Sequence, residues 1–130
     1  MPRVLLVEDE DVISEPIGIV LKMHSYQVDT ARNGRQALQL CKKHSYDLIL
    51  LDIMMPVCNG VEFLKLADLK HTSPKTKIIV MSNLALGGEI KEALELGARM
   101  NVLKANITPA SLLELIESEV SGQSSDKQKS

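Results

Sequence analysis

The sequence predicts an α/β fold: a doubly wound (βα)5 unit whose five-stranded parallel sheet is covered by helices on both faces. Three observations predict it. Short apolar runs alternate with amphipathic segments from one end of the chain to the other. Most of the runs are continuous rather than alternating, as parallel strands buried on both faces require. The segments between them repeat at helical spacing, and regular strand–helix alternation leads to a parallel sheet.

The first strand is Val4-Leu5-Leu6-Val7. Val12, Ile13, Ile17, Val20 and Leu21 mark one face of the helix that follows. Pro16 falls inside that pattern, where it removes a hydrogen bond and should bend or delay the helix. The weaker run Gln27 to Ala31 is the second strand, and Asn33-Gly34 opens a helix carrying Ala37, Leu38 and Cys41. Leu48-Ile49-Leu50-Leu51 is the third strand, and Phe63, Leu64 and Ala67 belong to its helix. Ile78-Ile79-Val80-Met81 is the fourth strand, followed by a helix with Ile90, Ala93 and Leu94 that Gly97 terminates. Val102-Leu103 is the fifth. Thr108-Pro109 then supplies an N-cap and a first-turn proline for a last helix holding Leu112, Leu113, Ile116 and Val120. Asn33, Asn59-Gly60, Ser73-Pro74 and Gly87-Gly88 supply the turns.

Composition bounds the function. The 130 residues suit one domain, expected over residues 1–120, with a polar stretch at 121–130 expected to be a disordered tail or linker. Apolar residues make up 45% and aromatics only 2%, so Leu, Ile, Val and Met must fill the core. A net charge of −2 offers no basic field to nucleic acid or to an anionic membrane. No apolar run approaches the roughly 20 residues of a membrane span, and the zones of a signal peptide are missing, so the expected location is cytoplasmic. Cys41 and Cys58 lack metal-site spacing and read as reduced packing residues. His24, His44 and His71, scattered near helix ends, read as solvent-side residues without a ligand role.

In an open parallel sheet, ligands bind beyond the carboxyl ends of the strands. Glu8, Asp9, Glu10 and Asp11 follow the first run, Asp52 the third, Ser82 the fourth and Lys104 the fifth. Singly, each has a plain reading: acids at a helix start are favoured by its dipole, and an Asp after a strand is usually a turn residue. Together they fit phosphoryl transfer. Crowded carboxylates at Glu8, Asp9 and Asp52 repel one another, and a hard divalent cation such as Mg²⁺ relieves that conflict while keeping positions for phosphate oxygens. Lys104 adds a positive charge and Ser82 a hydroxyl donor. An Asp beside a metal can attack phosphorus itself.

At these positions the chain resembles the response-regulator receiver family, also called CheY-like. The resemblance is carried by Val4-Leu5-Leu6-Val7-Glu8-Asp9-Glu10, by Asp47 through Pro56, by Asn59-Gly60, Ile79-Val80-Met81-Ser82, Leu96-Gly97-Ala98 and Lys104. It implies strand order 2-1-3-4-5, as in flavodoxin-like sheets. It implies Asp52 as phosphoacceptor, and Mg²⁺ (or Mn²⁺) held by Asp9, by Glu8 through water, by Asp52 and by the Met54 carbonyl. Ser82 would be the switch hydroxyl and Lys104 the phosphate-binding lysine. The phosphoryl donor would be a sensor histidine kinase or a histidine phosphotransfer protein docking beside the first helix. Output would pass to a downstream protein, or to a second copy in a homodimer, through the fourth helix, fifth strand and fifth helix. Such a protein catalyses its own phosphorylation and dephosphorylation without being an enzyme on a small-molecule substrate.

Four departures from the family pattern set further expectations. Asn101 stands where an aromatic switch residue is usual, so coupling by an inward-turning ring is not expected. Ala105, not Pro, follows Lys104, and a non-proline cis peptide costs about 2.5–4 kcal/mol, so this bond should be trans and the next loop rearranged. Asn83 replaces a small residue and should narrow access to Asp52. Met54 and Leu84 are apolar at positions that influence hydrolysis, so dephosphorylation should be slow. Leu84, Leu86, Leu96 and Leu115 have no clear place in the core; they read as ordinary partly buried residues, with a homodimer or partner face as the functional alternative. The competing function is a receiver-fold binding module that works without phosphorylation. A dehalogenase-type phosphatase would want an Asp where Met54 stands. A flavin binder would want a glycine- and hydroxyl-rich loop where the four acids stand.

Overall fold

The computed structural model describes residues 2–55, 57–83 and 88–121. Five parallel strands, β1 (Arg3–Val7), β2 (Gln27–Ala31), β3 (Leu48–Asp52), β4 (Lys77–Ser82) and β5 (Met100–Leu103), form one sheet in the order β2-β1-β3-β4-β5. The helices are α1 (Asp11–Met23), α2 (Gly34–Lys43), α3 (Gly60–Ala67), α4 (Gly88–Glu95) and α5 (Pro109–Ser121). Strand order reverses between β1 and β3, so the carboxyl ends of these two strands flank the crevice where such sheets bind ligands.

The continuous apolar strands divide by alternation. Val4, Leu6, Leu48, Leu50, Ile79 and Met81 pack with α1 and α5 on one face. Leu5, Val7, Ile49, Leu51, Ile78 and Val80 pack with α2, α3 and α4 on the other. Phe63, the single phenylalanine, is fully buried, and the aliphatic residues supply most of the rest of the core. Leu96 and Leu115 are half-buried against the two cores, while Leu84 and Leu86 lie outside the described residues.

Local chemistry sets the helix ends. Asn33 caps α2, its side chain accepting from Gln36 N–H at 2.9 Å. Asn59 and Glu62 form a reciprocal capping box at α3. Thr108 Oγ1 accepts from Ser111 N–H at 3.1 Å, with Pro109 opening α5. Gly97, two residues beyond α4, takes φ +116°, which favours glycine.

Some expectations need correcting. Pro16 does not delay α1, which begins at Asp11 and contains the proline in its interior. The chain forms a further helical turn at Leu69–Thr72, after Asp68 enters the left-handed region at φ 49°. His24 and His71 are exposed as expected, but His44 is half-buried with its ring edge-on to Tyr46 at 6.3 Å. Cys41 and Cys58 are free thiols packed against the core, and burial pushes the Cys41 thiol up to about 11.

Candidate phosphoacceptor site

Four strand ends deliver the site to one rim. Asp52 is the last residue of β3, Ser82 the last of β4, and Lys104 follows the last residue of β5. Glu8 follows β1, where its N–H donates to Ala31 carbonyl at 2.9 Å and so continues the sheet's hydrogen bonding one residue further. Parallel register therefore brings together residues that are widely separated in sequence.

The carboxylates are deeply placed. Glu8 is 0% exposed, Asp52 1%, and the Lys104 side chain 8%. Lys104 Nζ lies 2.9 Å from Glu8 Oε1, 3.0 Å from Asp52 Oδ2 and 3.7 Å from Glu10 Oε1. The first two oxygens are buried and have no further hydrogen-bond partner among the described residues. Asp52 Oδ1 accepts from Met54 N–H at 3.0 Å, and Glu8 Oε2 from Glu10 N–H at 3.2 Å. Each buried carboxylate thus has one oxygen anchored by backbone and one turned to the lysine.

Burial governs the charges. Desolvation pushes the Glu8 carboxyl up to about 7, against the opposing pull of Lys104. Asp52 is raised for the same reason. Desolvation would lower Lys104, but the hydrogen bonds and charges of Glu8 and Asp52 outweigh it and hold the ammonium above its usual value.

Carboxylate oxygens of Glu8, Asp9 and Glu10 lie within 4.8 Å of one another. Hard oxygen donors at this spacing, beside buried oxygens of Glu8 and Asp52 that meet only the Lys104 ammonium among the described residues, fit a small divalent cation. Asp52 is linked to this group through Lys104. Met54 contributes its N–H to Asp52 and is itself 55% exposed. Arg32 braces the acidic loop, pairing with Asp11 and donating to the Asp9 carbonyl at 3.3 Å.

Ser82 Oγ donates to Asn101 Oδ1 at 3.0 Å. The sequence marks Asn101 as a departure without revealing this partnership. The available signal is a polar residue inside β5, in register with Val80 and so on the same sheet face as Ser82. Glu10 is a second residue missed as a site member; its signal is its place in the acidic run after β1. Asn83 is exposed. No cis peptide occurs among the described residues, so Lys104–Ala105 is trans, and Lys104–Asn106 forms a 3-10 turn. Leu84 and Pro56 lie outside the described residues.

Beside the site, Val12, Ile13, Pro16 and Ile17 of α1 face Lys104, Ile107 and Pro109 across a cleft of about 170 Å³. Val12 and Ile19 are exposed on α1.

A family model described as "Response regulator receiver domain" matches residues 4–117. Among curated proteins, the chain is 40% identical over 100 residues to a transcriptional regulatory protein CpxR homolog of Haemophilus influenzae, covering 75% of this chain and 41% of that one. It is 34% identical over 106 residues to the transcriptional regulatory protein LnrK of Bacillus subtilis, covering 80% and 47%. The chain thus spans less than half the length of these relatives. Among solved structures, a response regulator receiver domain protein (CheY-like) from Methanospirillum hungatei superposes with a TM-score of 0.86 at 27% identity, covering 97% and 98% of the two chains. Chemotaxis protein CheY4 of Vibrio cholerae gives 0.81 at 30% identity, covering 90% and 97%.

Proposed function

Since the chain belongs to the response regulator receiver domain family, we propose that it is a phosphorylation switch of two-component signalling whose acceptor is Asp52. The observation that carries this reading is the buried Asp52 carboxylate, its Oδ2 turned to Lys104 Nζ at 3.0 Å on the rim of the sheet.

In the step, an Asp52 carboxylate oxygen attacks phosphorus. A new O–P bond forms while the P–N bond of a phosphohistidine, or the P–O bond of an acyl phosphate, breaks. The leaving group departs with the electron pair. Lys104 meets the charge on the phosphoryl oxygens, and the Ser82 hydroxyl donates to one of them. Met54 N–H keeps Oδ1 in place during attack. Mg²⁺ or Mn²⁺, held by Asp9, Glu8, Asp52 and the Met54 carbonyl, would supply the remaining positive charge. Positioning and charge neutralisation then account for most of the catalysis.

Residues 1–120 act as the receiver unit, with the polar 121–130 as tail or linker. The donor is a histidine kinase or phosphotransfer protein; the cleft beside α1, with exposed Val12 on its wall, supports its docking there. The phosphorylated protein acts on a protein target, or on a second copy, through α4, β5 and α5. No helix among the described residues is long and apolar enough to cross a membrane, in keeping with a cytoplasmic role. The phosphorylation-independent module is not favoured, since the Asp52, Lys104, Ser82 and Glu8 set is complete.

Incubation with acetyl phosphate or phosphoramidate plus Mg²⁺, followed by intact mass, tests the reading. Wild type should gain one phosphoryl group and Asp52→Asn none. No adduct on wild type would overturn it.

A further inference from the structure

We infer that Asn101 is a positioning residue that latches the Ser82 hydroxyl away from Asp52, so that release of the Ser82–Asn101 hydrogen bond is a required part of phosphorylation. The inference rests on the phosphoacceptor reading above and concerns how that site is regulated.

A serine hydroxyl carries one hydrogen. Here it is directed to Asn101 Oδ1 at 3.0 Å. To donate to a phosphoryl oxygen on Asp52, Ser82 must withdraw it from Asn101. Ser82 is buried and Asn101 half-buried, so water competes poorly for the hydroxyl. Asn101 pairs in register with Val80, which together with Ile78 packs in the core that holds Ala93 of α4. Met100 and Val102 pack on the opposite face with α1 and α5. By strand alternation the Asn101 amide lies on the α4 face. Release of the latch therefore frees an amide acceptor beneath that helix, with no ring rotation required. This gives Asn101 a positive role in the protein: the coupling runs through a hydrogen bond.

The test is a double-mutant cycle read as the initial rate of Asp52 phosphorylation by acetyl phosphate with Mg²⁺. Asn101→Leu, close in size but without an acceptor, should raise the rate roughly three- to tenfold, the value of one neutral hydrogen bond. Asn101→Asp, a stronger acceptor, should lower it by a similar factor. In the Ser82→Ala background Asn101→Leu should change the rate by less than about twofold, because no hydroxyl remains to latch. A purely structural role would not depend on Ser82. The Asn101 side-chain amide resonances of wild type, followed by NMR, should also move when beryllofluoride and Mg²⁺ are added, which keeps the idea falsifiable if a variant misfolds. The latch is overturned if the Leu effect persists in Ser82→Ala, if Leu and Asp shift the rate in the same direction, or if the amide signals stay still when beryllofluoride and Mg²⁺ are added. Failure of wild type to accept phosphate sinks the phosphoacceptor reading, and the latch with it.

Discussion

At the scale of the residue, Lys104 has the heaviest duty. It is the counter-ion of two buried carboxylates, at 2.9 and 3.0 Å. Removing one partner of a buried ion pair leaves the other uncompensated, typically at about 3–5 kcal/mol. Lys104→Met should therefore lower stability at pH 7.5 by about that amount and abolish phosphorylation. Urea denaturation should show the penalty shrinking at pH 5, where Glu8, raised to about 7, is protonated. A penalty that is unchanged by pH would contradict this assignment. Met54 supports a second expectation at this scale. Its backbone N–H is bonded to Asp52, its side chain is exposed, and a thioether orients water poorly. The phosphoryl group should accordingly be lost slowly. Met54→Asn should shorten its lifetime several-fold, followed by intact mass after removal of excess donor; a wild-type half-life of seconds would contradict the expectation.

At the scale of the element, the segment after β3 closes tightly on itself. Gly60 N–H donates to the Ile53 carbonyl at 3.0 Å, and the Asn59–Glu62 capping box fixes the start of α3 immediately after it. A Cβ at Gly60 would meet the Asp52 carbonyl oxygen and Ile53 Cα at 2.8 Å, both backbone atoms without freedom to yield. Gly60→Ala should cost about 1–3 kcal/mol in thermal or denaturant unfolding and should slow phosphorylation, because the displaced backbone carries Asp52. An Ala variant with wild-type rate and stability would show that α3 moves freely relative to β3. Sequence legibility also divides at this scale. Asp52 and Ser82 could be placed at strand ends because the preceding apolar runs are unbroken. The turn at Leu69–Thr72 could not, since four residues carry too little periodicity. Pro16 was expected to bend or delay α1; the delay does not occur, and a helix that already starts at Asp11 holds the proline by burying Ile17 and Leu21. The apolar run marked only Val102-Leu103 of β5, so Asn101 fell just outside the expected strand, and its partner depends on the register with β4, which no local pattern encodes.

At the scale of the whole molecule, the sheet gathers negative charge in a buried place, and stability must respond to pH. Glu8 rises from 4.5 in the unfolded chain to about 7 in the fold, and Asp52 shifts the same way. A raised carboxyl binds its proton more tightly when folded. Its contribution is therefore full below about 4.5 and is lost as pH climbs through about 7. Without divalent cation, stability should fall across that window by an amount on the order of a few kcal/mol. Adding Mg²⁺ should raise the melting temperature clearly at pH 8 and little at pH 5. A Mg²⁺ effect of equal size at both values would rule out these carboxylates as the ligands.

The Ser82 hydroxyl also has a thermodynamic consequence, because one donor serves two claimants. Any protein that binds the α4 face more tightly once Asn101 is released must, by reciprocity, shift the phosphoryl-transfer equilibrium toward phosphorylated Asp52 by the same factor. The target then acts as an effector of its own signal. With acetyl phosphate limiting, adding the target should increase the phosphorylated fraction seen by intact mass, and should do so in wild type but not in Ser82→Ala. Occupancy of the site is thus set jointly by the donor upstream and the listener downstream.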